Sequence, residues 1–229
     1  MNLYINGDSH TAAAEAVVPH AFAEDDPELY ELGRQPHPAN FAVSWAQQLS
    51  TLMEARLHCD AQSASSNARI LRTARAWLEK NCPDLLIIQW STWEREEWEY
   101  HGRTYQVNGS GTDHVPPEAA ERYRDYVIGL DWQQKTQQAH QDIWQFHLEL
   151  KQQHIPHVFF NGNNDFSRIT QKQNWHQNYV SPYDSNQTFD SLLRQNGHEP
   201  RHNSWHFGAE AHSFFAHFML QYCIDNQLY

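Results

Sequence analysis

Two periods alternate along this chain. Short runs that are apolar on consecutive positions read as buried strands: Leu3-Tyr4-Ile5, the stretch 55–59, the stretch 84–90 (Asp84-Leu85-Leu86-Ile87-Ile88-Gln89-Trp90) and the stretch 155–161. Between and after them the spacing turns helical. Phe41, Trp45, Leu49, Leu52 and Met53 share one side of a helix over 41–53, and Ile70, Leu71, Ala74, Trp77 and Leu78 share one over 68–80. Ile143, Trp144, Phe146, His147 and Leu150 cluster on a long helix over 132–153, and Ala211, Phe214, Phe215, Phe218, Met219, Tyr222 and Cys223 form the broad apolar face of a closing helix over 209–226. Strands alternating with helices imply a parallel sheet covered on both sides. The expected class is α/β, a three-layer α/β/α sandwich with a mostly parallel sheet and a flavodoxin-like layout.

A chain of 229 residues can bury a full core, and a single domain over 1–229 is expected. Two segments break the alternation and read as insertions, at about 91–131 and 162–203. The first leads from Trp93 through Tyr100 into Tyr105-Gln106-Val107-Asn108-Gly109-Ser110-Gly111, whose Asn-Gly and Gly signals predict a small hairpin, followed by a short helix near 118–130. The second passes irregularly through Trp175, Tyr179, Tyr183 and Phe189. Aromatic residues make up 13% of the chain, with nine tryptophans. Those in the insertions, Trp93, Trp98, Tyr100, Tyr105 and Trp175, serve either as the insertions' own cores or as a stacking surface for sugars.

The formal net charge of −12 would repel a phosphate backbone or an anionic membrane surface, so neither nucleic acid nor membrane is an expected partner. A neutral substrate fits this charge. Three widely separated cysteines, Cys59, Cys82 and Cys223, show no metal-type spacing and point to a reducing compartment. The first strand begins at residue 3 with no signal-peptide pattern before it, and no apolar run approaches the roughly 20 residues that span a bilayer, so a cytoplasmic protein is expected.

The chemistry is concentrated at the first strand's end. Leu3-Tyr4-Ile5-Asn6-Gly7-Asp8-Ser9-His10-Thr11 is an apolar run that breaks at a glycine and delivers Asp-Ser-His into a turn, and 11–16 has the composition of a helix start. A serine there offers both its hydroxyl and its backbone N–H to a ligand bound at the carboxyl edge of the sheet. The alternative is that Asp8, Ser9 and Thr11 cap a helix. A partner for Ser9 stands just before the closing helix, in Asn203-Ser204-Trp205-His206-Phe207-Gly208-Ala209-Glu210-Ala211-His212.

With Gly-Asp-Ser at residues 7–9 and His206 followed six residues later by His212, the chain resembles the SGNH (GDSL) hydrolase family from end to end. The resemblance implies an esterase or acyl hydrolase without a cofactor, in which Ser9 is the nucleophile and His206 the base that takes its proton, acting on an O-acylated carbohydrate or another small ester. Asn203 stands where the family has the Asp that orients the base, and an Asp-to-Asn change in a serine triad can lower the rate by about 10⁴. For the oxyanion hole, the Ser9 N–H is joined by Ala64 or Ser65 in place of the family's block-two glycine. Trp93 falls where block three has its Asn donor. Asn67 and Asn163 are the substitutes expected to fill that gap. Asp8, His10, Trp90, Thr92, Trp93 and Trp205 are the expected substrate-binding residues, and His212 is expected to pack structurally.

Asn203 and Trp93 also favour a different class of function, a catalytically degenerate domain that binds a glycan or a protein. Trp-Ser-Thr-Trp-Glu-Arg after the third strand and Phe-Asn-Gly-Asn-Asn after the fourth are similar to SGNH-like proteins of cyanobacterial phages, which implies phage structural proteins among the partners and a place in the infected cell or the virion. A metal site at His198, His202 and His206 is disfavoured, because Asn196-Gly197 and Glu199-Pro200 interrupt the helix that an i, i+4 ligand pair needs. No metal is expected.

Overall fold

Side-chain alternation in three parallel strands generates the two faces of the core. In the computed structural model, which describes residues 1–109 and 115–228, β1 (Asn2–Asn6), β2 (Arg56–Cys59), β3 (Leu85–Trp90) and a later strand at His157–Asn161 form one parallel sheet. That strand, β6, follows a separate antiparallel hairpin of β4 (Glu96–Tyr100) and β5 (Arg103–Val107). The strand order is β2-β1-β3-β6. Leu3, Ile5, Leu85, Ile87, Val158 and Phe160 point to one face, where they meet Trp45 and Leu49 of α2 (Trp45–Leu52) and Phe215, Met219 and Cys223 of the closing helix at Ala209–Asp225. Tyr4, Leu86, Ile88, Trp90 and Phe159 point to the other, against Ile70, Leu71 and Ala74 of α3 (Asn67–Leu78) and Ile143, Phe146 and Leu150 of α5 (Trp132–Gln152). The layers are helix, sheet, helix, as the sequence predicts. Among the described residues no helix is long and apolar enough to cross a membrane.

Elsewhere the local structure departs from the expectation, each time for an identifiable reason. The helix expected over 41–53 is two: α1 (Pro38–Phe41) ends, and Ser44 starts α2 afresh by accepting the Gln47 N–H on its hydroxyl at 3.1 Å. The hairpin of the first insertion turns at His101 and Gly102, both left-handed at φ 48° and 70°, before the Asn108-Gly109 signal is reached; Ser110 and Gly111 lie outside the described residues. Its helix is α4 (Ala120–Ile128). The second insertion holds a helix the pattern did not predict, α6 (Phe189–Gln195), capped by Thr188 on the Ser191 N–H at 3.1 Å. Trp93, Trp98 and Trp175 are buried: Trp98 packs inside the first insertion, while Trp93 and Trp175 join the core between the sheet and α3 and α5. The closing helix is α7, as expected.

Candidate active site

The segment after β1 is a turn, not the start of a helix. Its amides fold back on the strand end: Thr11 and Ala12 N–H donate to Asp8 O at 3.1 and 2.9 Å, and Ala14 N–H donates to Ser9 O at 2.9 Å. Ala13 and Glu15 then adopt left-handed backbone, φ 54° and 59°, which stops helical propagation. Ala12, Ala13 and Ala14 have no exposed surface, so their small side chains are what fits there.

Gln89 of β3 ties this turn to the sheet, accepting from the Thr11 hydroxyl at 2.8 Å and from the Asp8 N–H at 3.3 Å. Gly7 is required by this arrangement: a Cβ would lie 2.4 Å from Thr11 Oγ1 and 2.9 Å from Gln89 Oε1. Gly7→Ala is therefore expected to destabilise the fold by about 2 kcal/mol, as overpacking does. Thermal melting should read this as a drop of about 4–8 °C.

Asp8 is a structural anchor, not a substrate contact. Its buried carboxylate accepts from the His10 N–H (3.0 Å), the Ser91 hydroxyl (2.8 Å) and Arg95 Nη1 (3.1 Å). Burial works against the charged form, but His10, Arg95 and these hydrogen bonds hold its pKa below the usual carboxylate range.

Ser9 is nearly buried, and among the described residues neither its hydroxyl nor its N–H has a hydrogen-bond partner. The His10 ring packs against Phe189 at a centroid distance of 5.2 Å and lies edge-on to His206 at 5.6 Å. The fold thus brings the end of the chain to the residue beside Ser9. Ser9 and His206 themselves share no hydrogen bond.

His206 sits in a closed loop. Arg201 N–H donates to His206 O at 2.8 Å, Ser204 N–H to Arg201 O at 2.9 Å, and Pro200 bridges to Phe207. The imidazole Nδ1 lies 2.9 Å from Glu15 Oε2. The Ser204 hydroxyl donates to the same carboxylate oxygen, and Arg201 Nη1 donates to the Glu15 carbonyl. The hydrogen bond from His206, joined by that from Ser204, holds the Glu15 carboxyl below its usual pKa. Asn203 does not make the contact expected of it: it stands exposed at the loop tip with φ 59°.

The remaining candidates divide. Ala64 has left-handed backbone at φ 64°, a conformation that favours glycine, and its N–H has no partner among the described residues. Asn163 is exposed. Ser65 and Asn67 are not available as oxyanion donors: the Ser65 N–H donates to Gln62 O at 3.2 Å, and the Asn67 amide is paired with the Ser91 backbone, accepting at 2.8 Å and donating at 3.3 Å.

Trp90 and Trp93 are not substrate-binding residues either. Trp90 is fully buried against Phe146 and Phe159, and Trp93 is stacked flat on Phe166 at 4.8 Å. Thr92 Oγ1 is buried without a partner among the described residues, and Asn67, Trp93 and Arg95 line a cleft of about 830 Å³ whose walls do not include Ser9 or His206. Trp205, by contrast, is 81% exposed beside His206. His212 is structural, as expected: it is buried, and its Nδ1 accepts from the Trp45 N–H at 3.3 Å. Among the described residues no group of three His, Cys, Asp or Glu side chains is placed to hold a metal ion.

No protein-family model and no curated protein matches the sequence. Solved structures do. The chain is similar to the psychrotrophic esterase EstA of a Pseudoalteromonas species, with TM-score 0.50 and 12% identity over 98% of this chain and 97% of that one. It is also similar to the acetyl xylan esterase AlAXEase (TM-score 0.47, 13% identity, 96% of this chain and 98% of that one). A third likeness is to a structure described as a lipolytic protein of the G-D-S-L family from Desulfitobacterium hafniense (TM-score 0.45, 11% identity, 96% of this chain and 98% of that one). At these identities the likeness concerns the fold alone, a three-layer α/β/α domain shared with the esterase EstA.

Proposed function

We propose that this chain is a serine esterase acting on a neutral O-acylated substrate, with Ser9 as nucleophile and His206 as base. The observation that carries the reading is the meeting of the chain's two ends: His206, with a carboxylate on its Nδ1, lies edge-on to His10, and the Ser9 hydroxyl next to it has no partner among the described residues. In this reading Ser9 Oγ attacks the ester carbonyl as its proton passes to His206 Nε2. The N–H groups of Ser9 and Ala64 receive the oxyanion, and the same proton goes to the departing alkoxide. Water, deprotonated by His206 in turn, attacks the acyl carbon, and His206 returns that proton to Ser9 Oγ as the acid leaves. The substrate class we assign is an acylated carbohydrate: the exposed Trp205 indole beside His206 offers an apolar face to a sugar ring, and the charge of −12 disfavours an anionic substrate.

The absence of an Asn donor in block three, where the buried Trp93 stands, favours a second reading: a non-catalytic domain that binds a glycan or a protein, in a virion if the phage-type resemblance holds. Turnover separates the two. The esterase reading expects hydrolysis of p-nitrophenyl acetate above background and covalent labelling of Ser9 by a fluorophosphonate, located by peptide mass spectrometry. A chain that neither turns over nor takes the label is a binding domain.

A further inference from the structure

We infer that Glu15 is the positioning residue for His206, taking the part the family gives to the Asp three residues before its histidine, so that nucleophile and orienting carboxylate stand in one turn. The inference rests on the esterase reading for its catalytic consequence, and on geometry for the rest. Glu15 Oε2 lies 2.9 Å from His206 Nδ1, within hydrogen-bond range of an imidazole N–H. The residue at the family's position, Asn203, is exposed at the tip of the 200–207 loop and makes no hydrogen bond among the described residues.

The backbone is shaped to deliver that carboxylate. Helical continuation from Ser9 would carry residue 15 along a helix axis; the left-handed residues Ala13 and Glu15 instead turn the segment back toward the His206 loop. A non-glycine residue in that conformation is sterically strained, and two within three residues persist because the loop holds them in place. Ala16 N–H donates to Ala13 O at 3.1 Å, Arg201 holds the Glu15 carbonyl, and the Ser204 hydroxyl fixes the carboxylate while accepting from the His206 N–H at 2.9 Å. The polar contacts that Arg201, Ser204 and His206 make onto this turn all converge on Glu15.

The chemical consequence follows from the proton inventory. With Nδ1–H donated to an ionised Glu15, the neutral imidazole carries its lone pair on Nε2, the atom that must accept the proton of Ser9 Oγ. As that proton arrives, the imidazolium is stabilised by the carboxylate, which stays ionised; no proton passes to Glu15. Glu15 is the carboxylate hydrogen-bonded to the His206 ring; Ser204, Arg201, His10 and His212 also lie near it, and the carboxylates of Asp8 and Asp190 act on His10.

Glu15→Gln is the test, because it keeps length, backbone strain and shape while removing charge. It is expected to lower kcat for p-nitrophenyl acetate by about 10²–10⁴-fold with KM within about twofold, as amide replacement of a triad carboxylate does. Glu15→Asp should recover part of the rate. Nitrogen-15 NMR of the His206 ring reads the positioning without turnover: protonated Nδ1 in the native chain, mixed tautomers in Glu15→Gln. Full kcat in Glu15→Gln or an unchanged tautomer would overturn the inference, and so would an equal loss in Asn203→Ala. A native chain that shows the tautomer change yet turns over no ester keeps the positioning role and removes the esterase reading instead.

Discussion

Ser9→Ala is expected to reduce ester hydrolysis to the uncatalysed background, a loss of about 10⁴-fold or more, while leaving the melting temperature within about 2 °C. The two effects separate cleanly because of where Ser9 stands. Its hydroxyl has no partner among the described residues, so its removal breaks no hydrogen bond there, and the turn is held by Asp8, Thr11 and Gln89, which the substitution does not touch. The chemistry, in contrast, has no nearby serine to fall back on: the Ser65 and Ser91 hydroxyls are engaged with Gln62 O and Asp8 Oδ2.

His206→Ala should give a loss of similar size, and the double variant should be no worse than either single one, because serine and base act as a unit. Rates for the three variants on p-nitrophenyl acetate, with fluorophosphonate labelling of each, check this. Native-like turnover in Ser9→Ala would show that the hydrolysis comes from another group.

The layers of this molecule were legible in its sequence because the strands that build them are buried on both faces. Leu85 to Ile88 alternate between the two helical layers, so none of them can be polar, and the run announces a central parallel strand before any partner is known. The candidates Gly7-Asp8-Ser9 and His206 stand out in the sequence as well, since polar turn and loop residues contrast with an apolar strand and an apolar helix, and the fold brings His206 against His10.

Glu15 was not legible, and the reason is local. The stretch 11–16 is rich in alanine, whose intrinsic preference is helical, and the surrounding burial overrides that preference with two left-handed residues. The spacing of Asn203 to His206 points to a residue that the structure leaves exposed and away from the imidazole. The signal available was a lone carboxylate within an alanine run a few positions after Ser9. A similar cue marked α6: Thr188 three residues before Ser191 is a cap pattern that the irregular composition around it obscured.

Between pH 7.5 and pH 5 the fold is expected to lose stability on the order of 5 kcal/mol, because four histidines are buried without charge. His10, His147 and His157 are pushed down to about 4 by burial, and His212 to about 3, with neighbouring imidazoles adding to the effect. The pair His147 and His157 shows why a second proton is unwelcome. His157 Nδ1–H donates to Ile155 O at 2.8 Å, which leaves its Nε2 to accept from His147 Nδ1–H at 2.8 Å; protonating His157 places two N–H groups face to face.

The direction of the effect follows from the protons each state binds. These groups titrate near 6.5 in the unfolded chain and well below that in the folded one, so in the acid range the unfolded state binds more protons and stability falls with pH. Their contribution is complete above about pH 6.5. It declines as pH falls and levels off near pH 4 for three of them and near pH 3 for His212. Asp8, held below its ordinary value, adds a loss in the same direction at still lower pH. Each such histidine forfeits about 1.4 kcal/mol for every pH unit below 6.5, so the loss at pH 5 rivals the roughly 5–15 kcal/mol that holds a typical domain together. Thermal melts should fall by about 10–20 °C over that interval. Melting temperatures that stay level from pH 7.5 to 5 would mean that these imidazoles take up protons inside the folded molecule, and the hydrogen-bond assignment between His147 and His157 would then be wrong.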